Sequence, residues 1–154
     1  MRRIRGRFGD FEVHEDNIIR FPSGILGFED VHQYVLLEHN PDSLFHILQG
    51  VDDPEVAFVL IDPRTFRPDY RVTVSRDSVA VLELEGEDEA AVYAIVRVPA
   101  GDPAAMTANL QAPVLINPRK RLGCQVVLPD GPYGLRHPIL AEMQAAAVAE
   151  SQDG

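Results

Sequence analysis

Apolar and polar residues alternate in short runs along most of this chain, and proline, glycine, asparagine and aspartate cut the runs apart. Ile4, Gly6 and Phe8 alternate with Arg3, Arg5 and Arg7, which sets the arginines on one face of a strand. Residues 17–21 form a second strand, stopped by Pro22 and Gly24. Residues 29–33 read as one helical turn leading into a strand over 34–38. Strands follow over 44–49 and 56–61, divided by the Asp52-Asp53-Pro54 turn. The second is apolar throughout, the pattern of a strand buried on both faces. Alternation continues from Tyr70 to Ser75, and further strands fall at 90–98, 113–116 and 122–128, with 133–136 placed to close the sheet. Residues 76–84 satisfy both periods: Val79 and Leu82 have helical spacing behind a capping Ser75, whereas Val79, Val81 and Glu83 alternate as a strand would. Residues 139–150 are rich in alanine and have helix propensity without a wide apolar face, so they form a marginal terminal helix or a frayed tail.

Short, evenly spaced strands of this kind predict an all-β fold: a small closed or nearly closed, mainly antiparallel β-barrel with one or two short helices. Closure removes the edges that would otherwise pair with other chains. Prolines 54, 63, 68, 99, 113, 118 and 129 fall at predicted strand ends, where a missing N–H costs little. One domain over 1–138, with a helical or frayed tail over 139–154, accounts for all 154 residues.

Charge adds a second layer. The net charge is −10, and between Asp10 and Asp62 twelve acidic residues face only Arg20. A further acidic block holds Glu83, Glu85, Glu87, Asp88 and Glu89. Such a surface repels phosphate, so it argues against direct nucleic-acid binding and suits a basic partner. The four N-terminal arginines read as an exposed strand face that counters the acids, and Arg119-Lys120-Arg121 as a solvated turn. No apolar run is long enough to span a bilayer, and the basic N-terminus lacks the apolar core of an export signal, so a cytoplasmic protein without membrane contact is expected.

Candidate chemistry is sparse. His32, His39 and His46 share a seven-residue spacing, but Asn40-Pro41 interrupts any helix that would align them. Asp52, Asp53, Asp62 and Asp69 stand beside proline or in turn settings and do not form a calcium-loop pattern. Gly24-Ile25-Leu26-Gly27 lacks the lysine and third glycine of a phosphate cradle. The single cysteine, Cys124, sits in an apolar strand and can form no internal disulfide. No catalytic, metal-ligating or cofactor-binding residue is assigned, and the chain is not expected to be an enzyme.

Four segments, in order, carry a resemblance. They are Phe21-Pro22-Ser23-Gly24-Ile25-Leu26-Gly27-Phe28-Glu29, the stretch from Asp62-Pro63 to Asp69-Tyr70, the stretch from Met106-Thr107-Ala108-Asn109 through Pro113 to Asn117, and Gln125-Val126-Val127-Leu128. Together they resemble the flagellar assembly factor family FliW over about residues 18–138. Phe21, Pro22, Gly24, Phe28, Asp62, Pro63, Pro68, Asp69, Tyr70, Thr107, Asn109, Leu110, Pro113, Ile116 and Asn117 match family positions. Arg67 departs from the pattern by separating Phe66 from Pro68, which the family usually joins.

The resemblance implies a binding protein and favours a short helix over 76–84. Its implied partners are the small dimeric RNA-binding repressor CsrA, antagonised away from its RNA groove, and flagellin. Flagellin in the cytoplasm would occupy the factor; its export would free the factor to bind CsrA, and flagellin translation would resume. The chain alone would be a monomer. Partner contacts are assigned to Asp52, Asp53, Asp69, Tyr70, Glu83, Glu85, Glu87, Glu89 and Asn109. Phe66 and Tyr70 would also anchor their loop, and Asn109 and Asn117 would bond turn backbone. The alternatives are a chaperone that holds flagellin only, without effect on CsrA, and a small ligand-binding barrel with a deep polar pocket.

Overall fold

In a computed structural model, the described residues are 2–7, 9–37, 42–73, 75–85, 90–128 and 131–153. Among them the chain forms strands β1 (Arg2–Gly6), β2 (Gly9–Val13), β3 (Ile18–Arg20), β4 (Gln33–Leu37), β5 (Phe45–Gly50) and β6 (Ala57–Ile61). Helix α1 (Arg76–Leu82) precedes β7 (Ala91–Arg97), β8 (Thr107–Asn117), β9 (Leu122–Gln125) and β10 (His137–Pro138), and α2 (Ile139–Asp153) ends the series. From β3 to β8 the ring strands pair antiparallel with their neighbours, and β9 pairs with both β8 and β3, closing a barrel of seven strands. The β3–β9 seam is parallel and rests on one position, Arg20 beside Leu122. The expected closing strand over 133–136 is absent: β10 is two residues long and lies outside the ring against Thr107 and Ala108 of β8.

The two-residue period decides which side chains fill the barrel. Ile19, Phe21, Tyr34, Leu48, Leu60, Val114 and Ile116 form the interior with Phe58, Tyr93 and Ile95. Phe21 and Tyr34 meet edge to face at 5.1 Å. Gly123 makes room for that ring, since a Cβ there would come within 2.4 Å of it. The alternate positions face outward and are covered in three places. The β1–β2 hairpin lays Ile4, Phe11 and Val13 over Val35 and Leu37. Leu82 of α1 covers Leu115 and Leu122. Phe66, Tyr70 and Ile139 cover Val59, Ile61, Ala94 and Val96. The apolar run over 56–61 is therefore packed on both faces, inside the barrel and beneath the outer layer, with Val56, Leu60 and Ile61 buried and residues 57–59 half-buried. On the hairpin, Arg3 stands opposite Glu12 and Arg5 opposite Asp10, so the arginine face is matched by acids rather than presented as a basic arm.

Other expectations need correction. Residues 29–33 make no helix; the Val31 N–H reaches the Phe28 carbonyl in a single turn. Residues 70–73 form no strand, because Val72 serves as a cover over the outer clusters instead of joining a ladder. Residues 76–82 are helical, and Ser75 caps them by accepting the Ser78 N–H at 3.2 Å.

Pro113 lies inside a strand, and β8 tolerates it through a bulge. Tyr93 pairs with Val114 and Ile95 with Asn109, so Ala94 alone faces residues 110–113. Every backbone group there finds a partner. Asn109 Oδ1 accepts the N–H groups of Gln111 and Ala112, both at 3.0 Å. The Gly134 carbonyl accepts those of Leu110 and Gln111. The Tyr70 hydroxyl donates to the Leu110 carbonyl at 2.8 Å, and Leu128 N–H to that of Gln111. Gln125 Nε2 donates to the Ala112 carbonyl and Val126 N–H to that of Pro113. Proline fits because position 113 is the one place in the bend where no N–H is needed.

Two tests follow from this architecture. Asn109→Ala leaves the buried Ala112 N–H without its acceptor and should lower unfolding free energy by about 1–2 kcal/mol, whereas Asn109→Asp, which keeps the oxygen, should retain most of it. Urea unfolding of the two variants checks this; equal losses would contradict the assigned role. The second test is alkaline. Burial, aided by the Asp53 charge, pushes the Tyr34 phenol up to about 12. Burial, aided by Tyr133, pushes Tyr70 up as well. A phenol is neutral when protonated, so a native pKa above the unfolded value of about 10 stabilises the fold fully below that pH and progressively less as pH climbs towards the native value. Absorbance titration should show Tyr34 and Tyr70 ionising late, with stability falling above about pH 10.

Candidate functional site

The acids expected to meet partners do not form one surface. Asp52 and Asp53 occupy the β5–β6 turn, and β6 then carries the chain across the barrel to Asp62. Asp62 thus belongs to the opposite end, as do Glu83 and Glu85 beside the β8–β9 turn, whereas Asp69 lies on the outer wall towards α2. The β5–β6 turn is held from below by Gln49, which is fully buried. Its Nε2 lies within 3.2 Å of the carbonyls of Gly50, Pro54 and Val56, and its Oε1 accepts the Arg7 N–H. Asp53 Oδ1 accepts the Glu55 N–H. This fixed turn meets a segment that is remote in sequence: Asp30, His32, Asp52 and Asp53 share a cavity of about 380 Å³ with Val31 and Gln33. Among the described residues, no lysine or arginine lines it.

At the other end the acids are partly neutralised. Lys120 Nζ lies 3.1 Å from Glu85 and 3.7 Å from Glu83, and Arg119 reaches Glu85 at 3.4 Å. The hydrogen bond from Lys120, more than its charge, holds the Glu85 carboxyl below its usual range. Asn117 builds this meeting point. Its Oδ1 accepts the Arg119 and Lys120 N–H groups, shaping the β8–β9 turn, while its Nδ2 donates to the Leu82 carbonyl at the end of α1. Glu87 and Glu89 lie outside the described residues. Asp69 pairs with Arg67, whose Nη1 also holds Glu142 of α2 at 2.6 Å. Tyr70 is 2 % exposed, so its ring is core; a partner meeting this loop would touch Asp69. Asn109 is likewise half-buried, with its oxygen committed to the β8 bulge. A cavity of about 540 Å³ lies here, on the outer wall between Asp62, Arg64, Tyr70, Val72, Leu84 and Val92. The barrel's interior is filled by the side chains already described.

A third feature carries no mark in composition. Residues 25–28 form a tight turn in which the Phe28 N–H reaches the Ile25 carbonyl at 2.7 Å and Gly27 takes φ +86°. That is the type II arrangement, with glycine where positive φ is required. The Leu26 N–H donates to Gln125 Oε1 at 2.9 Å, and the Gly27 N–H to Glu29 Oε1 at 3.0 Å. The latter bond holds the Glu29 carboxyl below its usual range. Gly24, with φ +67° and no room for a Cβ beside Glu29, lets the chain enter the turn. Ile25 points into the core, but Leu26 is 59 % exposed and Phe28 42 %. A cavity of about 210 Å³ adjoins them, lined by Leu26, Glu29, Asp77, Ser78, Val81 and Cys124 among others. Burial pushes the Cys124 thiol up against a smaller opposing pull from Ser78, which keeps it protonated near neutral pH. Among the described residues, no group of three or more histidine, cysteine, aspartate or glutamate side chains is arranged to hold a metal ion.

These features can be set beside known proteins. The family model described as "FliW protein" matches residues 4–139. A flagellar assembly factor FliW from Natranaerobius thermophilus is 40% identical over 140 residues, covering 91% of this chain and 93% of that protein. One from Alkaliphilus metalliredigens is 45% identical over 139 residues, covering 89% and 85%. A crystal structure of the flagellar assembly factor FliW superposes with a TM-score of 0.82 at 40% identity, covering 90% of this chain and 96% of that one. The matched span takes in every strand of the ring, the bulge with its Asn109 clasp and the Leu26 turn, and on that footing the chain belongs to the FliW family.

Proposed function

We propose that this protein is a regulatory binding factor that antagonises a CsrA-type RNA-binding translational repressor and binds flagellin, and that it catalyses no reaction. The observation that carries the reading is the family match over residues 4–139, which spans the whole barrel, with relatives named as flagellar assembly factors. The distribution of charge supports it. A repressor that grips RNA must present lysine and arginine, and a chain of net charge −10 attracts such a surface while repelling RNA. Glu83 and Glu85 contribute less to this, since their charges are already met by Arg119 and Lys120.

Partner exchange then follows from mass action. Flagellin that accumulates in the cytoplasm occupies the factor and leaves the repressor on flagellin mRNA. Export of flagellin frees the factor, which binds the repressor and restores translation. The factor itself touches no RNA and no membrane, and it is a monomer between partners. A gel shift with labelled flagellin mRNA leader, CsrA and this chain tests the scheme. The chain should release RNA from CsrA, more weakly at high salt, and added flagellin should reverse the release. Flagellin binding with CsrA–RNA left intact would instead make the protein a chaperone alone. Light scattering should find a complex with each partner, and a stable ternary complex would overturn the exchange.

A further inference from the structure

Part of β7 has a strand beside it on one side only, and the ladder fixes which way its backbone points. Val126 N–H donates to the Pro113 carbonyl at 3.0 Å, so position 113 of β8 directs its backbone towards β9. Strand alternation sends positions 115 and 117 the same way and positions 114 and 116 towards β7, where they face Tyr93 and Ala91. Val92, between those two, therefore directs its N–H and carbonyl away from β8, towards the side of β6. On that side β6 has already ended: Ile61 faces Ala94, and the position next in line to face Val92 is Pro63. Pro63 has no N–H to give, and its carbonyl accepts the N–H groups of Phe66 and Arg67 instead. Asp62 enforces that departure by capping the 3-10 turn over Pro63–Thr65, its Oδ1 accepting the Arg64 N–H at 3.0 Å. Among the described residues, no group bonds the Val92 backbone on this side.

The cavity of about 540 Å³ on the outer wall lies along this stretch, lined by Ala90, Ala91 and Val92 together with Arg64, Val72 and Leu84. A donor and an acceptor left over on a strand edge are a template for one more strand. The β1–β2 hairpin has edges too, but its paired positions bring arginines and acids together, and charged side chains blunt an edge. The β7 edge carries alanine and valine, and these residues are half-buried in a cavity that the Asp62–Arg64 turn and Leu84 also wall. The edge of a second folded barrel would bring its neighbouring strands and their covering layers with it. A single extended segment brings only its own width.

We propose that an extended segment of flagellin adds here as a short strand beside Ala90–Val92. Its backbone pairs with the Val92 N–H and carbonyl, and an apolar side chain lies against Val72, Leu84 and Val92, which already pack in the outer cluster. The inference rests on the reading above, in which flagellin and the repressor are the two partners. It assigns the edge to flagellin because the recess calls for a segment whose own backbone is still without a neighbour. The repressor is a folded dimer, whereas flagellin held before export is a subunit whose assembly contacts have yet to form. Segments that order only on binding suit a strand edge of this kind.

The test follows single amides by NMR hydrogen exchange in the full chain, with purified flagellin and purified CsrA added separately. In the chain alone, the Val92 amide should exchange at least tenfold faster than those of Ala91 and Tyr93, which β8 holds. Saturating flagellin should slow Val92 exchange at least tenfold, and CsrA should leave it within twofold. Val92→Pro removes the docking donor without costing a ladder bond, so calorimetric titration should find flagellin binding weakened at least tenfold and CsrA binding within twofold. Val92→Ile keeps the N–H and should bind flagellin within twofold of the unsubstituted chain. Thermal unfolding checks both variants, and if Val92→Pro does not fold, amide exchange in the unsubstituted chain decides. Flagellin binding that leaves Val92 exchange unchanged would overturn the strand pairing and leave the proposed regulation standing. Failure of the unsubstituted chain to bind flagellin at all would overturn both. Protection of Val92 by CsrA, or by the chain itself at rising concentration, would make the occupant the repressor or a second copy and would also overturn the proposal.

Discussion

The barrel depends on the bend in β8. This strand pairs with β7 along both halves of its length, with β10 at one end and with β9 at the other, and its register with β7 shifts between the two halves. The bend costs four residues of ladder at 110–113, and buried backbone cannot be left without partners. The chain answers with Asn109 beside the bend and with two side chains from other segments, Tyr70 from the outer loop and Gln125 from β9. Ring closure through β9 is possible because the second half of β8 emerges from the bend directed at it. The segments that carry the family resemblance are thereby explained as one hydrogen-bonded device, with Gly24 and Gly27 shaping the turn that Gln125 holds at its other end.

This changes how the candidate contact residues are understood. Tyr70 and Asn109 stood out in the sequence because they are particular, and they are particular because the bend needs a donor and an acceptor at fixed places. Tyr70 supplies its hydroxyl from within the core, and so has little surface to offer. The acids divide by a different rule. Glu83 and Glu85 lie across from a basic turn that Asn117 shapes, so much of their field is spent within the molecule. Asp30, Asp52 and Asp53 meet across two loops around one cavity at the other end of the barrel.

Much of the fold was legible in the sequence because strand alternation and turn chemistry are local. The apolar run over 56–61 announced a strand covered on both sides, whereas residues 76–84 fitted both periods and only the family resemblance favoured the helix that Ser75 caps and Leu82 anchors to β8 and β9. What local pattern cannot encode is which strand completes a ring. Residues 133–136 read as the closing strand, but closure falls to β9 after a bulge in β8 that reads, in sequence, as a turn before a new strand. The segment from Tyr70 alternates as a strand should, yet the alternation of Val72 serves burial between two outer clusters and not a ladder. The pairing of Glu85 with Lys120 was equally hidden, since it joins segments brought together only by the α1 contact with β9.

Least legible was Leu26. In a glycine-bounded segment an apolar residue is indistinguishable from its neighbour Ile25, and the two go to opposite fates: Ile25 is buried and Leu26 exposed. The deciding fact is the positive φ of Gly27, which fixes a four-residue turn and sends consecutive side chains apart. A single exposed leucine on a soluble protein needs no explanation. An exposed leucine whose turn is fastened by three hydrogen bonds, one from a glutamine that also stabilises the central bend, is a different matter. The same glutamine that lets the ring close also sets the outward geometry of the turn. Any sequence that keeps this barrel through Gln125 keeps the turn rigid as well, with Leu26 held towards solvent.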